Sequence, residues 1–379
     1  MTLIYLVAGE QSGDALGGRL ITALRAARPD LQFAGVGGPQ MAAAGLASLF
    51  PIHELAVMGL LEVLPRLRRI AGLLRQTEAD IRARRPDVVV TIDSPGFTLR
   101  LLHRLRDSGL RRVHYVAPQV WAWREGRVKH YPGLWDRLLC LLPFEPAFFA
   151  RHGLEARFVG HPVIESGVDS GDSTRFRQKF GVAAESPILL VLPGSRRSEV
   201  SRLLPVFGET LVRLVQQVPG LVPVVPVASA VAGSVIAGTR DWPVQPLIVT
   251  DLGDKHDAYA AAAAALTKSG TSTLELALAD VPMVVAYRVH PLTAWIVRRS
   301  VKVQYAAIVN LLLGRMAVPE FIQQDCTADA LAPAVAGLIA GKVAASQHAA
   351  FAELRALLTP PGGTPSHAAA AEILALLQS

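Results

Sequence analysis

One acidic side chain follows a buried apolar run at a position suited to acid–base chemistry. Asp93 comes directly after Val88–Ile92 and precedes a turn that contains Pro95 and Gly96. Because parallel sheets bind ligands at the carboxyl ends of their strands, we expect Asp93 to face a binding site. A carboxylate there can accept the proton of an attacking hydroxyl. The alternative interpretation is an aspartate that only caps the turn.

The loop after the first apolar run, residues 9–14, has the sequence GEQSGD. Gly9 and Gly13 permit a close approach of the backbone, and the following helix would offer free N–H groups to an anion or a hydroxyl. Ser12 or Asp14 equally suits a helix N-cap. By itself the loop therefore predicts only a ligand at the first βα turn.

Two tryptophans and an arginine follow a later strand. Trp121, Trp123 and Arg124 lie in the segment PQVWAWR, and the chain has only five tryptophans. Aromatic faces beside a guanidinium suit a sugar ring, or acyl chains near a phosphate. The alternative is packing between domains.

Two segments of the second half are suited to binding phosphate. Residues 192–196 (LPGSR) precede a helix, so that backbone N–H groups and Arg196 together form a plausible pyrophosphate clamp. Residues 268–275 (KSGTSTLE) open another helix, and Glu275 is placed to hold ribose hydroxyls. The spacing of a P-loop is absent, as are Asp-x-Asp and metal-binding histidine patterns. We therefore expect arginine and helix N-termini, without a metal or a cofactor, to neutralise the charge of a leaving group.

Composition limits the class of protein. With 379 residues, 51% hydrophobic and 18% charged, the chain is long enough for two domains with substantial cores. Cys140 and Cys326 show no disulfide or metal spacing, which suits a reducing cytoplasm. The N-terminus reads as a first strand rather than a signal peptide, and no apolar run is long enough to span a bilayer.

The net charge of +7 is concentrated in one region. Residues 66–112 contain twelve arginines and five acidic residues. Such a region favours polyanions or an anionic membrane, whereas nucleic acid is disfavoured because no corresponding motif is present. Within it, residues 55–75 combine apolar side chains with arginines at helical spacing, typical of a helix at a membrane interface. A basic helix that faces the core, or arginines kept for solubility, are the alternatives.

Short apolar runs alternate with helical patterns, which predicts two consecutive α/β arrays with parallel sheets. The first array has strands at 3–7, 32–36, 88–92, 112–116, 138–142 and 156–159, and helices at 13–27, 60–84 and 99–107. A linker is predicted at 165–173. The second array has strands at 188–192, 222–227, 247–249, 264–268 and 282–287, and helices at 198–218, 255–263, 271–279, 291–299 and 327–339.

Nine motifs, in order along nearly the whole chain, resemble the lipid-A-disaccharide synthase family of glycosyltransferases. They are GEQSGD (9–14), VGGPQM (36–41), ELAVMG (54–59), VWAWR (120–124), LPFE (142–145), VGHPV (159–163), LPGSR (192–196), SGTSTLE (269–275) and MVVAYR (283–288). The resemblance implies a GT-B fold, with two Rossmann-like, doubly wound parallel-sheet domains facing a cleft. The expected domains are 1–168 for the acceptor and the membrane, 169–340 for the UDP-sugar, and helices at 341–379 that pack back on the first domain.

The implied reaction is an inverting transfer from UDP-2,3-diacylglucosamine to 2,3-diacylglucosamine 1-phosphate, giving a β-1,6-linked disaccharide 1-phosphate and UDP. By this resemblance Asp93 is the base, and Glu10 and Ser12 are further catalytic positions. The implied nucleotide-sugar site comprises Ser195, Arg196, Lys268, Ser269, Gly270, Thr271, Ser272, Glu275 and Asn310. The expected acceptor and lipid contacts are Trp121, Trp123, Arg124, Val57, Met58, Leu61, Arg66, Arg68 and Arg69.

The chain departs from the usual family pattern at three positions. It has Gly96 and Thr98 where members often have Asp and Asn, which removes a second acid from the loop. It also has Val309 where members often have Pro, directly before Asn310. The expected location is the cytoplasmic face of the inner membrane of a Gram-negative bacterium, with an anionic lipid surface as partner, no nucleic acid, and a homodimer as one possible assembly.

Two other classes of protein fit part of the pattern. A UDP-N-acetylglucosamine 2-epimerase shares the two-domain architecture, but it would not explain the tryptophan loop or the basic apolar helix. A non-catalytic carrier of nucleotide-sugars or lipids would keep the nucleotide site without requiring Asp93. Release of UDP that depends on the acceptor separates the transferase from both.

Overall fold

The structure is a computed structural model. It describes residues 1–55, 63–123, 125–290, 294 and 304–378, and of residues 63–67 it describes the backbone only. The chain forms two compact units: Met1–Pro162 with Leu358–Ser379, and Val163–Leu357.

The first unit is built on a parallel sheet, as expected from its continuous apolar runs. Its strands are β1 (Leu3–Ala8), β2 (Gln32–Val36), β3 (Ala47–Ser48), β4 (Val88–Ile92), β5 (Arg111–Tyr115), β6 (Arg137–Cys140) and β7 (Ala156–Phe158). Their order in the sheet is β3-β2-β1-β4-β5-β6-β7. The direction of winding reverses between β1 and β4, where Ala8 pairs with Ile92. Doubly wound sheets bind ligands at such a switch point.

Helices cover both faces of this sheet. They are α1 (Gln11–Ala27), α2 (Pro39–Ala43), α3 (Val63–Arg84), α4 (Pro95–Arg104), α5 (Val120–Trp123) and α6 (Glu145–Ala150). Side chains alternate along β1, so Ile4 and Leu6 lie in one buried cluster with α1, and Tyr5 and Val7 lie in another with α3 and α4. Both faces of the sheet are buried, which holds the strand ends in fixed positions.

The second unit repeats this arrangement. Its strands are β8 (Ile188–Leu192), β9 (Val222–Pro226), β10 (Leu247–Val249), β11 (Ala264–Lys268), β12 (Met283–Tyr287) and β13 (Glu320–Ile322), in the order β10-β9-β8-β11-β12-β13. All are parallel to their neighbours. Its helices are α7 (Ser173–Phe180), α8 (Arg197–Gln217), α9 (Ala232–Gly238), α10 (Leu252–Ala261), α11 (Ser272–Leu278), α12 (Ile308–Leu313), α13 (Ala328–Ile339) and α14 (Ala344–Leu358). The switch point lies between β8 and β11.

Most predicted elements are confirmed to within two residues, and the exceptions have local causes. Helix α4 begins at Pro95, not at residue 99, because proline fits the first turn of a helix, where no N–H donor is needed. Helix α10 begins at Leu252, since the Asp251 side chain caps it by accepting from the N–H groups of Gly253 and Asp254. The helix predicted at 291–299 lies, apart from residue 294, outside the described residues.

The predicted linker, residues 165–173, is instead an ordered part of the second unit. Asp257 accepts a hydrogen bond from the Asp172 N–H at 2.8 Å, and it also pairs with Arg175. Asp172 in turn caps α7. The stretch is polar because its acids serve as caps and ion-pair partners.

The two C-terminal helices belong to different units, whereas residues 341–379 were predicted to pack back on the first domain. Helix α14 packs in the second unit, where Gln347 bonds the backbone N–H and carbonyl of Met283 at 2.8 and 3.1 Å. Helix α15 (Pro365–Gln378) lies in the first unit, where its Glu372 pairs with Arg137 at 2.6 Å. Within the described residues no single helix is long and apolar enough to cross a membrane; only α13 and α14 together reach that composition, and they are bent by 84°.

Candidate active site

A cavity of about 410 Å³ lies at the switch point of the second unit. The loops after β8 and β11 form its walls together with α10, and they contribute Ser195, Arg196, Lys268, Gly270, Thr271, Ser272 and Glu275. Seven of the nine residues predicted to bind the nucleotide-sugar therefore line one cavity. Parallel strands that end side by side bring these loops together, although 72 positions of sequence separate Arg196 from Lys268.

The loop after β8 is shaped around one carboxylate. Glu199, in the first turn of α8, accepts from the backbone N–H groups of Ser195 and Arg196 at 3.2 and 3.3 Å. Gly194 has a φ of 114°, and a Cβ there would lie 2.5 Å from Glu199 Oε2. Only glycine fits this backbone and this close approach.

The same carboxylate holds two cations. Glu199 Oε1 lies 2.9 Å from Arg196 Nη1 and 3.1 Å from Lys268 Nζ. Burial alone would raise the pKa of Glu199, but Lys268 and Arg196 hold that pKa below its ordinary value. Glu199 is thus charged at neutral pH and joins the loops that follow β8 and β11.

A second acid of the cavity also has a fixed cation. Glu275 accepts from Lys255 Nζ at 2.7 Å and from the Tyr259 hydroxyl at 3.4 Å. Both partners lie on α10, one turn apart, and the Lys255 ammonium lies 5.4 Å from the centre of the Tyr259 ring. The carboxylate of Glu275 is thereby oriented before any ligand binds.

Two of the predicted nucleotide-binding residues do not line the cavity. Ser269 is buried and donates to the carbonyl of Ala306 at 2.6 Å. Asn310 is fully buried; its amide donates to the Val318 carbonyl and to Glu320 and accepts from two backbone N–H groups. In the structure both side chains fix the loops that precede β13, and neither offers a polar group to the cavity.

The first unit presents Asp93 on a strained turn at its own switch point. Asp93 and Ser94 both have left-handed backbone conformations, with φ of 50° and 47°. Non-glycine residues in this region cost free energy and cluster at functional sites. The side chain of Asp93 is half-buried and makes no hydrogen bond with the described part of the chain. Its carboxylate is therefore available to accept a proton.

Two neighbours stabilise that turn. Thr98, fully buried, donates its hydroxyl to the carbonyls of Asp93 and Ser94 at 2.6 and 3.0 Å. A Cβ at Gly9 would lie 2.3 Å from Ser94 Oγ, so glycine allows the loop after β1 to lie against the turn. By contrast, a Cβ at Gly96 would have no neighbour within 4 Å, so this position does not require glycine for close packing.

The start of α1 places Glu10 and Ser12 at the surface. Glu10 is the N-cap residue but makes no capping bond with its side chain, and Ser12 is exposed. Neither Ser12 nor Asp14 caps α1, so that alternative is wrong. Asp14 is buried and instead accepts from the backbone N–H groups of Gly38, Gln40 and Met41 at 2.7 to 3.0 Å. Asp14 thus fixes the GPQM loop beside the first motif.

The tryptophan loop is tied to the LPFE motif. Trp121 donates its indole N–H to Glu145 Oε1 at 3.0 Å and packs edge-on against Phe144. Glu145 Oε2 also accepts from the N–H groups of Leu141 and Leu142. Burial raises the pKa of Glu145 to about 7 even though these donors oppose the shift. Trp123, with half of its side chain exposed, is the other described tryptophan of the loop; Arg124 lies outside the described residues.

Helix α3, which carries the basic segment, has both exposed and buried side chains. Leu73 and Leu74 of α3 are buried, so this part of the predicted interfacial segment faces the core. Arg68 is exposed, and Arg69 pairs with Glu54 at 2.9 Å. Val57, Met58, Leu61 and the side chain of Arg66 lie outside the described residues.

Sequence reasoning missed the residues that orient the site rather than line it. Glu199 and Lys255 are ordinary helix residues in a single sequence, and Glu145 and Thr98 were noted there only as part of a motif and as a departure from the family pattern. One signal was available for Glu199, since a glutamate three positions after a helix N-cap is typical of a capping box. Among the described residues no group of three or more His, Cys, Asp or Glu could hold a metal ion; independence from metal stays a prediction.

Comparison with known proteins decides the family. The model of the family described as lipid-A-disaccharide synthetase matches residues 4–373. The chain belongs to the lipid-A-disaccharide synthase family. The lipid-A-disaccharide synthase of Gluconobacter oxydans is 58% identical, over 99% of this chain and 91% of its own length. Those of Granulibacter bethesdensis and Pseudomonas putida are 54% and 44% identical, each over 99% of this chain and 98% of its own length.

Solved structures show that this member of the lipid-A-disaccharide synthase family has a two-sheet fold that is already known. A UDP-GlcNAc 2-epimerase from Neisseria meningitidis, bound to UDP-GlcNAc, matches with a TM-score of 0.66 and 11% identity over 100% of both chains. The glycotransferase of kitacinnamycin matches with a TM-score of 0.62 and 19% identity over 98% of both chains. At these identities the likeness concerns the fold alone. It confirms the predicted GT-B class.

Proposed function

We propose that this chain transfers 2,3-diacylglucosamine from UDP-2,3-diacylglucosamine to 2,3-diacylglucosamine 1-phosphate. The 6-hydroxyl oxygen of the acceptor forms a bond to C1 of the donor sugar as the bond from C1 to the UDP oxygen breaks. The products are the β-1,6-linked disaccharide 1-phosphate and UDP, with inversion at C1. The observation that carries this proposal is the cavity at the β8–β11 switch point, where Arg196 and Lys268 converge.

The roles follow from the chemistry of each group. Asp93 accepts the proton of the acceptor hydroxyl, because its carboxylate makes no hydrogen bond with the described residues and lies on a turn that Thr98 stabilises. Arg196, Lys268 and the N–H groups at the start of α11 neutralise the charge that develops on the diphosphate. Glu275, held by Lys255, accepts from the ribose hydroxyls.

One incubation series tests the reaction. The purified protein is given UDP-2,3-diacylglucosamine alone, and then the donor together with 2,3-diacylglucosamine 1-phosphate, while UDP release is measured. We expect UDP only when the acceptor is present. UDP released without the acceptor would favour an epimerase, and a protein that binds the donor but releases no UDP in either arm would be a carrier.

We further propose that the enzyme binds the anionic cytoplasmic surface of the inner membrane through the segment 55–75 and its arginine-rich surroundings. Both substrates carry acyl chains, so a protein that acts on them must reach a bilayer surface. Each arginine near an anionic leaflet contributes roughly 1 kcal/mol, and salt screens this attraction. The exposed Arg68 and the mostly exposed Arg69 support this assignment.

Reversal of charge tests the membrane contact. Binding to anionic vesicles should fall with added salt, and it should fall further when Arg66, Arg68 and Arg69 are changed to Glu. Activity on short-chain substrates should be nearly unaffected in that variant. A matched control reverses three exposed cations elsewhere: Arg157, Arg240 and Lys342. Equal vesicle binding by the parent and the first variant would place the contact elsewhere.

A further inference from the structure

Glu199 makes four contacts with residues that line the cavity of the second unit, although it was not among the predicted site residues. One carboxylate oxygen, Oε2, accepts from the backbone N–H groups of Ser195 and Arg196. The other, Oε1, accepts from Arg196 Nη1 and lies 3.1 Å from Lys268 Nζ. Only 15% of its side chain is exposed. One oxygen thus fixes the loop, and the other fixes the two cations of the site.

An acidic side chain next to the cations of a proposed anion-binding site has an electrostatic explanation. Two cations that converge on a diphosphate repel each other before the ligand arrives, and this repulsion is strong where water is partly excluded. One carboxylate between them removes the repulsion and leaves a net charge of one positive unit. The bond to Glu199 uses one of the five N–H donors of Arg196, and 75% of the Arg196 side chain is exposed. Donors therefore remain for a ligand.

The loop is built to receive this carboxylate. Gly194 has a left-handed φ of 114°, and any larger residue there would meet Glu199 Oε2. The Lys268 ammonium lies 3.0 Å from the Cβ position of Gly270, so it too is confined. Two glycines and two loops thus converge on one acidic side chain.

On the basis of the proposed function, we propose that Glu199 is a positioning residue that aligns Arg196 and Lys268 with the diphosphate of the donor. It acts through these cations and does not itself bind the substrate. In the ground state, removal of Glu199 leaves two cations that still attract UDP. In the transition state, charge grows on one particular oxygen, and misaligned cations stabilise it poorly.

The consequence is a split between binding and turnover. We expect Glu199→Ala and Glu199→Gln to lower kcat by about 10- to 100-fold, while calorimetry shows UDP affinity within about threefold of the parent. The Gln variant keeps the size of the side chain, and it serves if the Ala variant does not fold. The control is Glu209→Gln, an exposed acid on the same helix, for which parent kinetics are expected.

A double-mutant cycle shows whether Glu199 acts through Arg196. In an Arg196→Ala background, Glu199→Gln should cost less in kcat than it does in the parent, because one of the two cations that it aligns is gone and only Lys268 remains. A cost equal to that in the parent background would overturn the proposal, as would parent-like kcat in Glu199→Gln. Equal losses of kcat, UDP affinity and melting temperature would overturn it as well, since they indicate a purely structural role. A parent that releases no UDP would refute the proposed function instead, and its UDP affinity would still report on the cavity.

Discussion

The strand-end loops of the two units differ in how their charges are arranged. In the second unit, Glu199 and Glu275 are each held by a lysine before any ligand is present. In the first unit, the carboxylate of Asp93 makes no hydrogen bond within the described residues, and its backbone is strained. A site that binds a diphosphate gains from cations fixed in advance, because reorganisation then costs nothing at the moment of reaction. A base, in contrast, must keep a carboxylate free for the incoming proton.

The contrast arises on the same architecture. Both sites lie where the winding of a parallel sheet reverses, between β1 and β4 and between β8 and β11. Topology therefore determines where each proposed site lies, and the local side chains determine its chemistry. Changes at Asp93 should affect turnover alone, while changes at Arg196 or Glu275 should also affect nucleotide binding.

The largest expected effect is at Asp93. Asp93→Asn keeps the shape of the side chain but cannot accept a proton, so kcat should fall by about 10²- to 10⁴-fold. UDP binding, measured by calorimetry, should be little changed because the cavity proposed to bind the nucleotide lies in the second unit. Asp107→Asn, at an exposed aspartate of the same unit, is the control. Near-parent turnover of the Asp93 variant at saturating acceptor would remove Asp93 from the chemistry.

The next effect concerns the nucleotide cavity. Arg196→Ala should lower kcat/KM by a factor that corresponds to about 2–4 kcal/mol, because the guanidinium meets growing charge on the diphosphate. Glu275→Ala should mainly weaken UDP binding. Arg197→Ala is the matched control, since Arg197 is exposed, is adjacent in sequence and does not line the cavity. Normal UDP affinity in both site variants would mean that the nucleotide binds elsewhere.

The sequence predicts charged residues that follow a strand, because their position and type indicate a role in chemistry. It does not predict the residues that orient these charged side chains. Asp93 and Arg196 could be predicted because each follows a buried apolar run. The contacts of Lys255 with Glu275 and of Glu199 with Lys268 could not, because they join residues far apart in sequence; the capping-box spacing indicated only the contact of Glu199 with its own loop. For Asn310 the prediction of a nucleotide contact came from the resemblance, and the structure shows its amide fully used in bonds within the loop.

A third prediction concerns the pH dependence of stability that the buried carboxyl of Glu145 causes. The folded-state pKa of Glu145, about 7, exceeds its ordinary value of 4.5. The carboxyl of Glu145 therefore binds a proton more tightly in the folded protein than in the unfolded chain. This tighter binding stabilises the fold fully below pH 4.5, and the stabilisation is lost as the pH rises to about 7. Between these limits the free energy of unfolding of the parent should fall, relative to Glu145→Gln, by at most about 3 kcal/mol.

In that experiment the informative quantity is the difference in the free energy of unfolding between the parent and Glu145→Gln. Burial lowers the pKa of His114 and of His161 to about 4, so these histidines destabilise the folded state as pH falls below about 6.5. Their effect is opposite in sign but common to both proteins, and it cancels in the difference. Chemical denaturation at several pH values gives the result. A parent-minus-variant difference that does not change with pH would show that Glu145 titrates normally.

The smallest expected effect tests whether the strained turn itself matters for catalysis. Thr98→Val removes a hydroxyl that donates to the carbonyls of Asp93 and Ser94, which should cost about 1 kcal/mol of stability. If the turn holds Asp93 in its working position, kcat should also fall, by roughly tenfold, since small misplacements of a catalytic group are costly. Thr77→Val provides the control: Thr77 is equally buried and donates to the Leu73 carbonyl at 2.8 Å inside α3, away from the turn. Both variants should lose similar stability by denaturant unfolding, and only Thr98→Val should lose turnover. Equal kcat in the two variants would show that the left-handed backbone at Asp93 serves the fold rather than the reaction.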